Sequence, residues 1–149
     1  MEAVAYSSSS ENNNLRAWGV GGFENEAALL WVEGLEDAMD LEMLEVTLDT
    51  VLEEDEDGEV PGADSSVHAL AAAETVATLA ARPTKQIPEE VRQWCFDNPS
   101  LELADVQSKA LQAVGVLLQD SWIRTFFEER GEGDDWEAEV EDLRDRLRG

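Results

Sequence analysis

The sequence predicts a mainly α protein, a compact bundle of about five to seven helices with no substantial sheet. Three observations predict it. Apolar residues recur at three- and four-residue spacing in segment after segment, and proline or glycine interrupts the chain between those segments. Strand-like material is confined to short runs such as residues 17–23. At 149 residues and 43% hydrophobic content the chain suits one domain with a modest core. The polar run Ser7-Ser8-Ser9-Ser10-Glu11-Asn12-Asn13-Asn14 has nothing to bury, so residues 1–16 are expected as a disordered tail and 17–149 as a single helical domain.

Each element has a local reason. In Trp18-Gly19-Val20-Gly21-Gly22-Phe23, three glycines between two aromatics predict a turn with unusual backbone angles that folds both rings onto the core. The spacing is not that of a phosphate loop, because no apolar strand precedes it and no lysine follows. Asn25 is the expected N-cap of a helix to about Ala38, with Ala27, Leu30, Trp31, Gly34, Leu35 and Ala38 inward. A second helix follows Asp40 on the stripe Leu41, Leu44, Leu48, Val51 and Leu52, until Gly58, Pro61 and Gly62 break it. Asp64 or Ser65 caps an alanine-rich third helix that buries Val67, Leu70, Ala73, Ala77 and Ala80 and ends before Pro83.

Pro88 sits where a first-turn proline belongs, which predicts a short helix to Asp97 with Val91, Trp94 and Cys95 inward and Asn98-Pro99 as its stop. From about Ser100, Leu103, Val106, Ala110, Val114 and Leu117 keep one register, and Trp122, Ile123, Phe126 and Phe127 continue into a further turn or helix. After Gly131 and Gly133, Asp134 and Glu137 are spaced as a capping box for a last helix carrying Trp136, Val140, Leu143 and Leu147. All five tryptophans are expected on or beside inward stripes, where large rings fill a core rich in alanine.

The nine residues Trp18-Gly19-Val20-Gly21-Gly22-Phe23-Glu24-Asn25-Glu26 resemble the opening motif Trp-Gly-x-Gly-x-Phe-acid-Asn-acid of domain-of-unknown-function family 4259, a family of small acidic bacterial proteins. The resemblance continues through Trp31, the alanine-rich stretch 69–81, Trp94 with Asn98-Pro99, Lys109-Ala110-Leu111, Trp136 and Leu143-Arg144-Asp145-Arg146-Leu147, covering roughly residues 17–147. Here some 16 residues stand ahead of the motif, where family members begin close to the tryptophan. The resemblance implies no activity, cofactor or catalytic residue.

Charge is the most informative feature. The chain holds 35 Asp and Glu against 10 Lys and Arg, a net charge of −25. Such a field repels phosphate, which argues against nucleic acid and anionic membrane as partners and favours a basic protein or a cation. The charge is also concentrated. Residues 33–59 contain 13 acids and no base, and residues 128–142 contain 9 acids and only Arg130. Glu42, Glu45, Asp49, Glu53 and Glu56 recur at helical spacing beside the leucine stripe of the second helix and form an acidic ridge. Read plainly, such a ridge is a solvated face or a salt adaptation, although salt adaptation spreads charge rather than gathering it. The sharper reading is a docking surface for a basic protein, as in an immunity protein or another acidic inhibitor.

The second class is a cation site. With Gly58 at the sharp turn, Glu53, Asp55, Asp57, Glu59 and Asp64 fall on positions 1, 3, 5, 7 and 12 of an EF-hand calcium loop, with Val60 on the apolar eighth. Glu at position 1, Asp at position 12 and the following Pro61 depart from that pattern, and a flexible acidic loop gives the same spacing.

Catalytic readings fare worse. His68 is the only histidine and falls at the edge of the third helix; Cys95 beside Trp94 reads as a small core residue; Ser121 lacks a nucleophile elbow. One cysteine permits neither an intramolecular disulfide nor a cysteine zinc site. No stretch reaches the roughly 18 to 20 apolar residues that span a bilayer, and residues 1–14 lack the basic and apolar regions of a secretion signal. The expectation is therefore a cytosolic, non-catalytic binding protein for a basic partner, with no cofactor, and with calcium or another cation as the alternative.

Overall fold

A computed structural model describes residues 15–99 and 102–148. Among them are seven helices: α1 Glu26–Glu36, α2 Glu42–Glu56, α3 Ala63–Leu79, α4 Glu89–Asp97, α5 Ala104–Gln119, α6 Trp122–Glu129 and α7 Gly133–Arg148. The described residues form no strand. A single antiparallel bridge joins Ala17 to Asn25 across the glycine loop. None of the helices is long and apolar enough to cross a membrane.

The bundle is organised around α3, which packs against every other helix. Its alanines explain why: small side chains let neighbouring helix axes approach from all directions. Burial therefore runs nearly unbroken from Ser66 to Ala77 and includes Glu74, so the single inward face expected for this helix is replaced by burial all round, while Ala80 is only half-buried. Neither expected cap is used, since Gly62 precedes the helix with no side-chain cap and Asp64 lies in the first turn. The Pro61 carbonyl accepts from Ser66 Oγ (3.2 Å) and from the Trp122 amide (2.8 Å), tying the α2–α3 loop to the start of α6.

The other helices present one stripe each. Asn25 caps α1 as its spacing required, with Oδ1 accepting from the Ala28 amide at 2.8 Å. The buried face of α1 is Ala28, Trp31, Val32 and Leu35, rotated from the expected one, and Leu30 is exposed. Leu44, Leu48 and Val51 anchor α2 on α3 and α5, with Leu41 and Leu52 half-buried. Val91 and Trp94 anchor α4, where Trp94 Nε1 donates to the Ala38 carbonyl at 3.0 Å and Cys95 is half-buried. The α5 stripe keeps Val106, Ala110, Val114 and Leu117 and adds Ala113 and Leu118, while Leu103 precedes the helix and is half-buried; Ile123 and Phe127 anchor α6. Ser121 caps α6, accepting from the Arg124 amide. Trp136, Val140, Leu143 and Leu147 seat α7, but this helix begins at Gly133, so Asp134 sits in its first turn rather than in a capping box. Ser100 lies outside the described residues, and α5 begins at Ala104.

Three helices end in the same way. The Gly58 amide bonds the Asp55 carbonyl while the Glu59 amide bonds Glu54; Gly131 and Glu132 repeat the pattern on Glu128 and Phe127, and Ala81 and Arg82 on Thr78 and Ala77. This is the Schellman motif, which needs a left-handed residue just past the helix. Glycine fills that place after α2 (φ 79°) and α6 (φ 77°), whereas after α3 it is Ala81 at φ 67°.

Leu15, two residues before Ala17, is buried in the core, and residues 1–14 of the expected tail lie outside the described residues. Of the two aromatics of the glycine loop only Phe23 is buried; Trp18 is 60% exposed. The Trp18 amide bonds the Glu24 carbonyl and the Gly21 amide bonds Glu24 Oε1, so Glu24 folds back over the loop. The glycines here have no left-handed φ. A Cβ on Gly19 would stand 2.4 Å from Glu24 Oε1, and one on Gly22 would stand 3.1 Å from Glu74 Cγ. Close approach, not unusual backbone angle, is why these positions are glycine.

Candidate functional site

Because α2 buries Leu44, Leu48 and Val51, the carboxylates at spacings of three and four beside that stripe are carried outward together. The five ridge residues line one flank: Glu42, Glu53 and Glu56 are exposed, Glu45 and Asp49 half-buried. Among the described residues only Asp49 of the five meets a cation, Lys109 Nζ of α5 at 3.1 Å. That pair joins residues 60 positions apart, and nothing near Asp49 in sequence announces it. The last turn of α2 holds Glu53, Glu54 and Glu56 with no base, so acids crowd the negative end of the helix dipole, where they are unfavourable.

Cation placement separates the two acidic runs. Of the nine acids in 128–142, Glu128 and Glu137 pair with Arg124, Glu132 with Arg130, Glu141 with Arg144 and Asp142 with Arg146. Of the thirteen acids in 33–59, only Asp49 is paired among the described residues. Sequence counting treats these runs alike. The fold pairs five of the nine acids of the second run and only one of the thirteen of the first, which is left as a largely unpaired negative face on α1 and α2.

The calcium frame is not assembled. Glu53 and Asp55 belong to α2 itself, Gly58 makes the left-handed turn that ends that helix, and Asp64 stands in the first turn of α3. Among the described residues no group of three or more His, Cys, Asp or Glu is disposed to hold a metal ion. The glycine that the calcium spacing assigned to a sharp turn is there because the helix ends; of the acids around it Glu53 and Asp55 are in the last turn of α2, Asp57 is its C-cap and Glu59 follows the turn.

The strongest electrostatic feature escaped sequence reasoning. Glu74, buried in the middle of α3, meets Arg146 of α7 through two parallel bonds, Nη1–Oε1 at 2.9 Å and Nη2–Oε2 at 3.1 Å. Arg146 also bonds Asp142 Oδ2 at 2.8 Å and the Arg82 carbonyl at 3.1 Å, fastening α7 to the Schellman turn of α3. Burial holds the Glu74 carboxyl above the usual range, and the Arg146 bonds offset only part of that effect. Burial also opposes the Arg146 charge, but Glu74 and Asp142 outweigh it and the net shift is upward. Glu139 is raised too, by burial first and then by Asp142. A signal existed in the sequence, because Glu74 is the only charged residue in the alanine-rich stretch 69–81. A Cβ on Gly22 would stand 3.1 Å from Glu74 Cγ, so the opening motif lies close to this network.

The nucleophile and base candidates lie on α3 (His68), on α4 (Cys95) and just before α6 (Ser121). Burial pushes the Cys95 thiol up to about 12, so almost no thiolate forms at neutral pH. Burial lowers the His68 pKa, with Asp64 opposing. Ser121 Oγ donates to the Leu117 carbonyl at 2.9 Å while it caps α6.

A family described as a domain of unknown function, DUF4259, matches residues 16–139. Neither the curated proteins nor the solved structures contain a significant match to the chain. The match spans the glycine loop, the acidic helices α1 and α2, the central alanine helix and the first turns of α7, and on it the chain belongs to the DUF4259 family.

Proposed function

We propose that this chain is a non-catalytic, cytosolic binding protein that engages a basic protein partner through the acidic face of α1 and α2, in the manner of an immunity protein or inhibitor. The observation that carries the reading is the uneven neutralisation. Cations are scarce, and those on α6, α7 and their linker pair with carboxylates outside the ridge, so the ridge keeps its charge except at Asp49. Repulsion along α2, together with acids at the wrong end of its dipole, is a stability loss that an approaching Lys- or Arg-rich surface would relieve. The same field disfavours nucleic acid and anionic membrane.

The test compares wild type with the Glu42→Gln, Glu45→Gln, Glu53→Gln, Glu56→Gln variant as baits in native lysate at low and high salt. Asp49 is kept, because its removal would strand Lys109. A basic protein held by wild type, lost by the variant and released as salt shortens the screening length from about 10 Å toward 3 Å supports the reading. Equal retention by both baits, or by neither, refutes it.

A further inference from the structure

Beside the ridge lies an apolar groove. Met39, in the α1–α2 linker, is 89% exposed; Val46, on the outer side of α2, is 57% exposed; half-buried Met43 stands one turn before Val46. These three line one groove of about 500 Å³ with Ala38, Asp40 and Glu42. Ala38 is shared with a second groove of about 400 Å³, lined by Trp94 and by Glu36, Glu89, Glu90 and Asp97. The two adjoin at Ala38, and the depression they make together holds six carboxylates and no basic residue in its lining. Among the described residues the only cation paired with any of the six is Arg92, 3.8 Å from Glu89.

We infer that this depression receives a basic amphipathic helical segment of a protein partner, whose apolar side chains seat on Met39, Met43 and Val46 and whose lysines or arginines meet the acidic rim. The inference rests on the acidic-face reading and deepens it. An exposed apolar row within a polar rim marks an interaction surface, and methionine adapts its shape to a varied partner. Met43 and Val46 stand one turn apart on α2, and Met39 precedes them in the linker, so the three offer apolar contact to one face of a partner helix. Charge selects among occupants. A second copy would set one acidic rim against another on two molecules of net charge −25, and an anionic lipid surface would be repelled in the same way.

The test uses two fluorescein-labelled Lys/Leu peptides of identical composition, one with leucines at helical i, i+3, i+4, i+7 spacing and one with them scattered. Anisotropy titrations are made with wild type, the Met39→Ser, Val46→Ser variant and the glutamine ridge variant. Wild type binds the amphipathic peptide about tenfold or more tighter than the scattered one, a difference of about 1.4 kcal/mol. The serine variant, whose altered side chains are solvent-exposed and whose fold is checked by circular dichroism, loses that preference but keeps the weaker, salt-sensitive binding common to both peptides. Equal affinities in wild type, or a preference that survives in the serine variant, overturn the groove inference. If both peptides still bind through the ridge carboxylates in that case, the acidic face stands without the groove, and if wild type binds neither peptide both readings fall.

Discussion

Removing the Arg146 guanidinium tests what holds α7 to the central helix. In Arg146→Met the unbranched stem is kept but the guanidinium is lost and four hydrogen bonds vanish: two to Glu74, one to Asp142 and one to the Arg82 carbonyl. The Glu74 side chain is 2% exposed and that of Arg146 15%, so little water reaches the stranded carboxylate. Breaking a buried pair by deleting one partner costs about 3 to 5 kcal/mol. For a domain of this size that is a fall in Tm of about 10 °C. The carboxylate has an escape, which sets the pH dependence. Burial already holds the Glu74 pKa above its unfolded value, and the variant lacks the bonds that oppose the shift. A carboxyl with a raised folded pKa binds more protons folded than unfolded, so stability falls as pH rises from the unfolded value of about 4.3 through the folded one. The deficit of Arg146→Met is therefore smallest near pH 5 and grows toward pH 7 by up to about 1.4 kcal/mol per unit. Urea titrations followed by tryptophan fluorescence at several pH values read both quantities. In Glu74→Gln, Arg146→Met no buried charge remains, so most of the neutral-pH loss returns and the excess pH slope flattens. A loss below about 1 kcal/mol in Arg146→Met, or no recovery in the double variant, would refute the assignment of this pair as the tie between α3 and α7.

Two further predictions concern the backbone. Ala81→Gly relieves a left-handed alanine in the Schellman turn after α3, and a stabilisation of about 1 kcal/mol is expected in the same urea titration; an unchanged or lowered midpoint would mean that the turn is not strained. Gly19→Ala sets a methyl group 2.4 Å from Glu24 Oε1, displacing the carboxylate that accepts from the Gly21 amide, and should destabilise by about 1 to 2 kcal/mol. In a Glu24→Ala background the same substitution should be close to neutral, and full additivity of the two changes would show that the carboxylate is not the obstacle.

Much of the fold was legible because helices are local objects. The stripe Trp136, Val140, Leu143 and Leu147 is set by chain periodicity alone, as are the Asn25 cap and the Leu44, Leu48 and Val51 face. The orientation of α1 was not, since Leu29, Leu30, Trp31 and Val32 form an unbroken apolar run in which several faces fit equally well. Burial around α3 was not legible either: a helix of alanines looks weakly one-sided until six neighbours enclose it. The sequence also gave no way to distinguish Trp18, exposed on the glycine loop, from the buried Trp31, Trp94 and Trp136.

The candidate site divides along the same line. Composition and spacing by themselves determined that the molecule is strongly acidic and that five carboxylates share one flank of α2, because charge count and helical period need no tertiary information. Which of those charges survive as a field was decided only by folding. Lys109 reaches Asp49 across 60 residues, Arg146 reaches Glu74 across 72, and Arg124 gathers Glu128 and Glu137 from two helices. Coulomb attraction acts through space over a few ångströms, and only the packed chain fixes which cations come that close to which acids.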